Sequence, residues 1–446
     1  MSGVSMLVES IEKELQQVPT LPSNCTIYRV PVMLRKVKPE AYTPHLVTIG
    51  PFHRNKQHLK PMETHKLQYL NEFLRRNSQV NVVDYINALT DLEEKARKCY
   101  SEIINLKKDE FIKMLLMDGC FILELFLRRD RWEQYREDPL LSKTWMSRTI
   151  MRDLILLENQ IPFFVLQKLK TLLNRGNSEA RATHLNYLSR TFFGEMMLHR
   201  RESFGRLFLE GIFRVARDRN LIDFENLPEN EEESDDQNDE TRHLLDFVRQ
   251  LHLPSSSTAS QNYGNFRSIH SATELHDQGK VKFKWGSQTC LFEITFNRQD
   301  LSIPPIKIGD WTESFLRNLI AYEQSHSDCT KYVTAYAAFM DGLIVSPKDV
   351  ELLQKNKIID NLFGRPEKVS ELFNKLLEEV TIPFDNFYFS GISEEVETYY
   401  EMIKESSMHY YHFNTSWAWG FLKRLPYLLV IFTFLIFAMK WRNISK

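Results

Sequence analysis

Apolar positions recur along most of this chain at the three-to-four spacing of helices. Val4, Leu7, Val8, Ile11 and Leu15 describe a short amphipathic helix near the start. Asp109 to Arg129 (DEFIKMLLMDGCFILELFLRR) is apolar on nearly every face, which predicts a helix at the centre of the core. Arg148 to Lys170 reads as a second apolar helix, interrupted by Glu158, Asn159, Gln160 and Pro162. Pro162 removes a backbone donor and is expected to kink or restart that helix. After residue 280 the period becomes two. Val281, Phe283 and Trp285 alternate with lysines, and Phe292, Ile294 and Phe296 alternate with Glu293 and Thr295. This predicts a β-hairpin across Gly286, Ser287 and Gln288, with Leu301 and Ile303 as a third short strand. Helices resume over Ser314–Glu323, Tyr332–Leu343, Pro347–Lys355 and Glu367–Val380. The expected fold class is mainly α with a small antiparallel β element.

The hydrophobic pattern ends in LPYLLVIFTFLIFAM, Leu425 to Met439, without a charge. At 1.5 Å per residue this spans only ~22 Å of a ~30 Å hydrocarbon layer. Trp417, Trp419 and Phe421 before it, Trp441 after it, and Lys423, Arg424, Lys440 and Arg442 at its ends extend it to the headgroups. The expectation is one C-terminal transmembrane helix, flanked as residues 417–441. The opening residues lack a basic segment and a continuous apolar run, so they are not a secretory signal. The bulk of the chain is therefore expected in the cytosol, tethered to a membrane, with the plasma membrane as the first expectation.

Four regions follow from these patterns: a helical part over 1–224, a linker or insertion over 225–268, a part with hairpin and helices over 269–412, and the anchor. Residues 229–240 (ENEEESDDQNDE) carry no basic residue, and a Ser-rich run follows the short helical piece Thr241 to Leu251. Repulsion and low hydrophobicity make such a stretch solvated.

Composition narrows function mainly by exclusion. The net charge is −2, from 57 basic and 59 acidic residues, which is no nucleic-acid binder's excess. Gly is scarce, at 15 residues, and neither GxGxxG, GxxxxGK[ST] nor GxSxG occurs. Cys25, Cys99, Cys120, Cys290 and Cys329 are widely separated and contain no CxxC pair, so neither a zinc site nor a disulfide framework is indicated. Sequons at Asn24, Asn414 and Asn443 are too loose a pattern to weigh. The basic clusters Arg35, Lys36, Lys38 and Arg128, Arg129 could touch acidic lipids, but read more simply as solvated faces.

Four carboxylates are the sharpest chemical feature. Asp118, Glu124, Asp153 and Glu158 lie in or beside helices that look buried. Desolvation would raise their pKa and suit them to acid–base work. The plainer reading is that each meets a cation or backbone donor and fixes helix register. That reading is preferred, since no nucleophile or metal-ligand spacing accompanies them. His45, His53, His58 and His65 match no metal motif, and prolines at 44, 51 and 61 separate them. No catalytic, cofactor-binding or metal-binding residue is therefore assigned, and no cofactor.

Several long blocks carry a resemblance: IYRVPVMLR (Ile27 to Arg35), YTPHLVTIGPFHR (Tyr42 to Arg54), LKPMETHKLQYLNEFLRR (Leu59 to Arg76), MLLMDGCFILELF (Met114 to Phe126) and DLILLENQIPFFVLQKL (Asp153 to Leu169). SATELHDQGKVKF, IPPIKIGDWTESFLRNLIAYEQ and AFMDGLIVSPKDVELL continue it to Leu353. In this order they resemble the plant family catalogued as domain of unknown function 247, the UPF0481 proteins. The resemblance implies a plant origin, one family domain and a single-pass membrane association. It implies no reaction, although some grass members are associated with pollen self-incompatibility. The expected function is a membrane-anchored, non-enzymatic recognition or signalling protein with a protein partner and the bilayer as contacts. The alternative is an enzyme using the buried carboxylates.

Overall fold

The computed structural model describes residues 3–16, 25–175, 184–196, 241–254, 264–286, 290–406, 429 and 431–433. Its first half is helical: α1 (Gly3–Gln16), α2 (Val32–Val37), α3 (Pro61–Arg75), α4 (Val82–Lys98), α5 (Lys108–Asp130), α6 (Thr144–Leu154), α7 (Phe163–Leu173) and α8 (Leu185–Phe193). The apolar face of α1 is exposed at Val4, Leu7 and Ile11. From Phe111 to Arg128, α5 is buried at every residue except Lys113. It packs against α3, α4, α7 and α8. The approach of α7 is close enough that a Cβ on Gly119 would lie 2.4 Å from Leu169 Cδ1. Arg148 to Lys170 is not one helix. The chain leaves α6 at Leu154 and re-enters helix at Phe163, with Pro162 as the N-cap of α7, where its missing N–H breaks no helical bond.

The second half opens with α9 (Leu244–Gln250), inside the stretch expected to be solvated. Leu244, Leu245, Phe247 and Val248 are buried. Phe247 stacks on Phe163 at 5.8 Å, and Phe163 N–H donates to Arg242 O at 2.9 Å. Residues 241–254 thus join the core, while 225–240 and 255–263 lie outside the described residues.

A pH-sensitive group sits at the start of α9. His243 is fully buried. Its Nδ1 accepts from Asp246 N–H at 3.3 Å, and its Nε2 lies 3.0 Å from Thr26 O, an arrangement that fits the neutral ring. Burial, reinforced by the His326 and Arg242 charges against the pull of Asp246, holds its pKa down to about 4. The unfolded chain therefore binds the proton first, and stability falls as pH drops from about 6.5 toward 4. His243→Gln is expected to remove roughly 2 kcal/mol of the stability lost between pH 7 and pH 5. Urea midpoints of both proteins at the two pH values give the comparison, and equal losses would refute it.

Helix α10 (Ala272–Asp277) leads into a three-stranded sheet of β1 (Lys282–Trp285), β2 (Thr295–Asn297) and β3 (Asp300–Ile303), ordered β1-β3-β2. The expected antiparallel hairpin across residues 286–288 does not form, and the sheet is mixed. β1 runs parallel to β3, with Phe283 opposite Leu301, and β2 runs antiparallel to β3, with Phe296 opposite Leu301. The reason lies in turn geometry. The tight turn falls at Arg298, whose φ is +60°, and pairs β2 with the next strand rather than the previous one. Phe292 and Ile294 are buried but precede β2. A second, parallel pair joins β4 (Ile306–Ile308) to β5 (Ile359–Asn361). Helices α11 (Thr312–Ser325), α12 (Tyr332–Leu343), α13 (Pro347–Lys355), α14 (Pro366–Leu376) and α15 (390–406) complete the fold. Buried apolar residues from Ile27 to Tyr400 form one contiguous cluster.

The expected transmembrane helix is a second correction. Among the described residues no helix is long and apolar enough to cross a membrane. Of Leu425 to Met439, only Leu429 and residues 431–433 are described, and the rest of the expected anchor lies outside the described residues. A span needs about 20 predominantly apolar residues. α5 has the length, at 23 residues, but carries Lys113, Asp118, Glu124 and Arg128 along it. The fold class is therefore mainly helical with a small mixed sheet.

Candidate functional site

Residues 44–53 form an irregular segment packed into the body between α5 and the α6–α7 junction, with Val47, Thr48, Ile49 and Gly50 buried. Buried backbone without a ladder must find hydrogen-bond partners elsewhere. Side chains supply them. His45, Leu46 and Val47 N–H donate to the Asp153 carboxylate at 2.7–3.0 Å. Ile49 N–H donates to Asn159 Oδ1 at 2.7 Å, and Gly50 N–H to Asp118 Oδ2 at 2.8 Å. Asn159 Nδ2 returns bonds to Val47 O and Asp153 O, and Gln160 Nε2 holds Leu154 O and Leu156 O. The polar run that interrupts the apolar pattern at 158–160 is thus the scaffold for this segment.

Each of the four carboxylates meets at least one cation. Lys66, buried on α3, donates to Asp118 Oδ1 at 2.7 Å and to Thr48 O. Burial raises the Asp118 pKa against the pull of Lys66. Burial likewise raises Asp153, opposed by the Leu46, Val47 and His45 N–H groups and by Arg152 at 2.9 Å. Glu124 receives Arg76 Nε at 2.6 Å and Arg128 Nε at 2.8 Å, while Arg128 Nη1 reaches Asp138 at 2.6 Å. Tyr69 O–H donates to Asp138 and its ring lies 4.1 Å beneath the Arg128 guanidinium.

Glu158 is buried as well. Its Oε1 accepts Val30 N–H at 2.8 Å and meets Arg35 Nη2 at 2.6 Å. Its Oε2 faces Arg29 Nη1 at 3.4 Å and His53 Nε2 at 3.3 Å. Burial opposes its ionisation, but the His53 contact, the Arg35 charge and the Val30 N–H outweigh it and pull its pKa down to about 2. Arg29 also stacks 4.1 Å over the Phe52 ring.

The structure therefore brings Asp118, Asp153 and Glu158 to one buried segment, and commits each of the four carboxylates to a cation. The histidines do not converge: His45 is exposed, His53 is buried against Glu158, His58 Nε2 sits 3.2 Å from Pro44 O, and His65 is on α3. Among the described residues no three His, Cys, Asp or Glu side chains are placed to hold a metal ion. Among the described residues no disulfide joins any of the five cysteines. Sequence reading passed over Lys66, Lys56 and Arg29, because a lysine or arginine on an amphipathic pattern looks the same whether its end meets water or a buried carboxylate.

An open groove of about 1050 Å³ lies in the second half. Phe296, Asn297 and Arg298, from β2 and its turn, form one side, Gly264, Asn265 and Arg267 another, and α15 the third with Glu394, Tyr399 and Met402. The Phe296 and Tyr399 rings meet edge to face at 5.6 Å. Arg267 and Glu394 pair across the rim at 3.1 Å.

Comparison with known proteins adds the following. A family model described as "Plant protein of unknown function" (DUF247) matches residues 27–430. The Arabidopsis thaliana "UPF0481 protein At3g47200" is 30% identical, over 96% of this chain and 86% of that protein. The "Putative UPF0481 protein At3g02645" of the same plant is 24% identical, over 88% of this chain and 85% of its own length. No solved structure matches.

Proposed function

We propose that this chain, which belongs to the plant DUF247 family of proteins of unknown function, is a non-enzymatic recognition protein that acts by binding another protein. The observation that carries the reading is the groove between β2 and α15. Its lining combines the apolar Phe296, Tyr399 and Met402 with the charged Arg267, Arg298, Glu394 and Glu395, the mix of apolar and polar groups that interfaces carry. Among the described residues β2 is also an edge strand, the position at which an extended peptide adds to a sheet. Acid–base catalysis, the other reading, needs two uncommitted carboxyl groups on a common cavity. The pairings of Asp118, Glu124, Asp153 and Glu158 count against it.

The test is a photo-crosslinking side chain placed at Met402 and, as a control outside the groove, at exposed Leu362. In plant extract the Met402 probe is expected to give one reproducible protein adduct that Tyr399→Ala reduces by about tenfold, the loss expected from truncating a central aromatic anchor. The Leu362 probe should give none. Equal adducts from both positions, no adduct from Met402, or indifference to Tyr399→Ala would overturn the proposal.

A further inference from the structure

We propose that Arg29, Arg35 and Lys56 form a binding site for a phosphate-type oxyanion, with Glu158 and His53 as its rear wall. One carboxylate needs one cation, yet Glu158 faces two guanidinium groups and an imidazole. Lys56 is half-buried in the turn that follows His53, its N–H donating to His53 O at 3.1 Å, and it has no carboxylate partner among the described residues. Burial and the positive charges of Arg35 and Arg29 lower its pKa despite Glu158. The other acid at the cluster, Glu102, holds Arg29 Nε at 3.1 Å, but both side chains are about half exposed and such a pair is weak enough to open for a ligand.

His53 is the independent sign. It is 3% exposed, its Nε2 lies 3.3 Å from Glu158 Oε2, and neither ring nitrogen has a hydrogen-bond partner among the described residues. A buried ring nitrogen left without a partner is costly unless something meets it. The arginines are also held for the task. Glu158 ties one end of each guanidinium, and Phe52 supports the face of Arg29, leaving N–H groups of both free for forked contact with an oxyanion. Glu158 is thus a positioning residue that fixes the two forks. The blocks that meet here, Ile27 to Arg35, Tyr42 to Arg54 and Asp153 to Leu169, are among those that carry the family resemblance.

The full chain is titrated with inorganic phosphate, against sodium chloride at equal ionic strength, while its thermal midpoint is followed. Phosphate is expected to raise the midpoint saturably and chloride not to. Lys56→Gln is expected to weaken the apparent affinity about tenfold with the phosphate-free midpoint unchanged, and Arg29→Gln to weaken it as much while lowering that midpoint, because it also takes a cation from Glu158. Cosedimentation with phosphatidic acid vesicles, against phosphatidylcholine vesicles, names the source. Vesicle binding lost in Lys56→Gln supports the site as a lipid headgroup site, and phosphate binding without vesicle binding supports it as a site for soluble phosphate esters. Equal effects of phosphate and chloride without vesicle binding, or wild-type affinity in both variants, would overturn the proposal.

Discussion

Gly50→Ala is expected to destabilise the protein by about 3–5 kcal/mol, a large share of the ~5–15 kcal/mol that holds a typical native state. Two costs add. Gly50 has φ +72°, where a Cβ costs of order 1–2 kcal/mol. The Cβ would also sit 2.3 Å from Gln160 O and 3.3 Å from Tyr100 Oη. Gln160 O cannot retreat cheaply, because it belongs to the backbone of the scaffold and accepts Tyr100 O–H at 3.2 Å. Relieving the clash would also pull Gly50 N–H off Asp118. Gly364 separates the two costs. Its φ is +71°, and a Cβ there would meet nothing within 4 Å. Gly364→Ala is therefore expected to cost only about 1 kcal/mol, the strain alone. Urea unfolding of the three proteins gives the answer. Similar midpoints for the two variants would mean that the contact with Gln160 O is unimportant.

Lys66→Met is the second large effect, with an expected loss of about 3–5 kcal/mol. It strands a buried carboxylate rather than deleting a pair. Asp118 is 3% exposed and Lys66 is 2% exposed, with the ammonium 2.7 Å from the carboxylate. Without the cation, the Asp118 pKa rises further and the folded state binds its proton before the unfolded state does. Stability of the variant relative to wild type then increases as pH is lowered toward the ordinary Asp range, the sign opposite to that for His243. Asp118→Asn in the Lys66→Met background should restore about 1–3 kcal/mol at pH 7, since a neutral amide oxygen can still accept Gly50 N–H. A double variant no more stable than Lys66→Met would show that the pair is not what holds this part of the core.

What could be read in advance follows from how local each signal is. α5 was legible because a helix apolar on nearly every face has one place to go. The break before α7 was legible because Pro162 forbids a continuous helix. Period-two alternation marked β1 and, over Phe292 to Phe296, the approach to β2, and Leu301 and Ile303 marked β3, but alternation names a face, not a neighbour. The strand that pairs with β1 was therefore misassigned, and the short β4–β5 pair, three residues a side, left no periodic trace. The short helix after the acidic run was visible, yet its acidic and Ser-rich flanks hid that Phe247 reaches Phe163. The terminal apolar run was legible as composition only, and no helix among the described residues supports a span. The candidate carboxylates were found by their oddity in apolar surroundings. Arg128 and Arg152 lie four and one residues from Glu124 and Asp153, but Lys66 and Arg76 could not be found, because they precede their carboxylates by 52 and 48 residues.

The buried segment at 44–53 imposes an order of assembly. Its donors meet acceptors that follow at separations of 68 residues for Asp118 and 106 to 110 for Asp153 and Asn159. At a synthesis rate of about 5–20 residues per second, such a gap leaves Val47 and Ile49 waiting on the order of 10 s on the ribosome before their partners exist. Until then, the segment has only water to satisfy its amides and every reason to stay outside the core. α3, α4 and α5 can pack in that interval, but the segment can close only behind the finished α6–α7 junction. Nascent chains truncated before residue 153 should therefore leave it open to protease, and chains extended well past residue 173 should protect it.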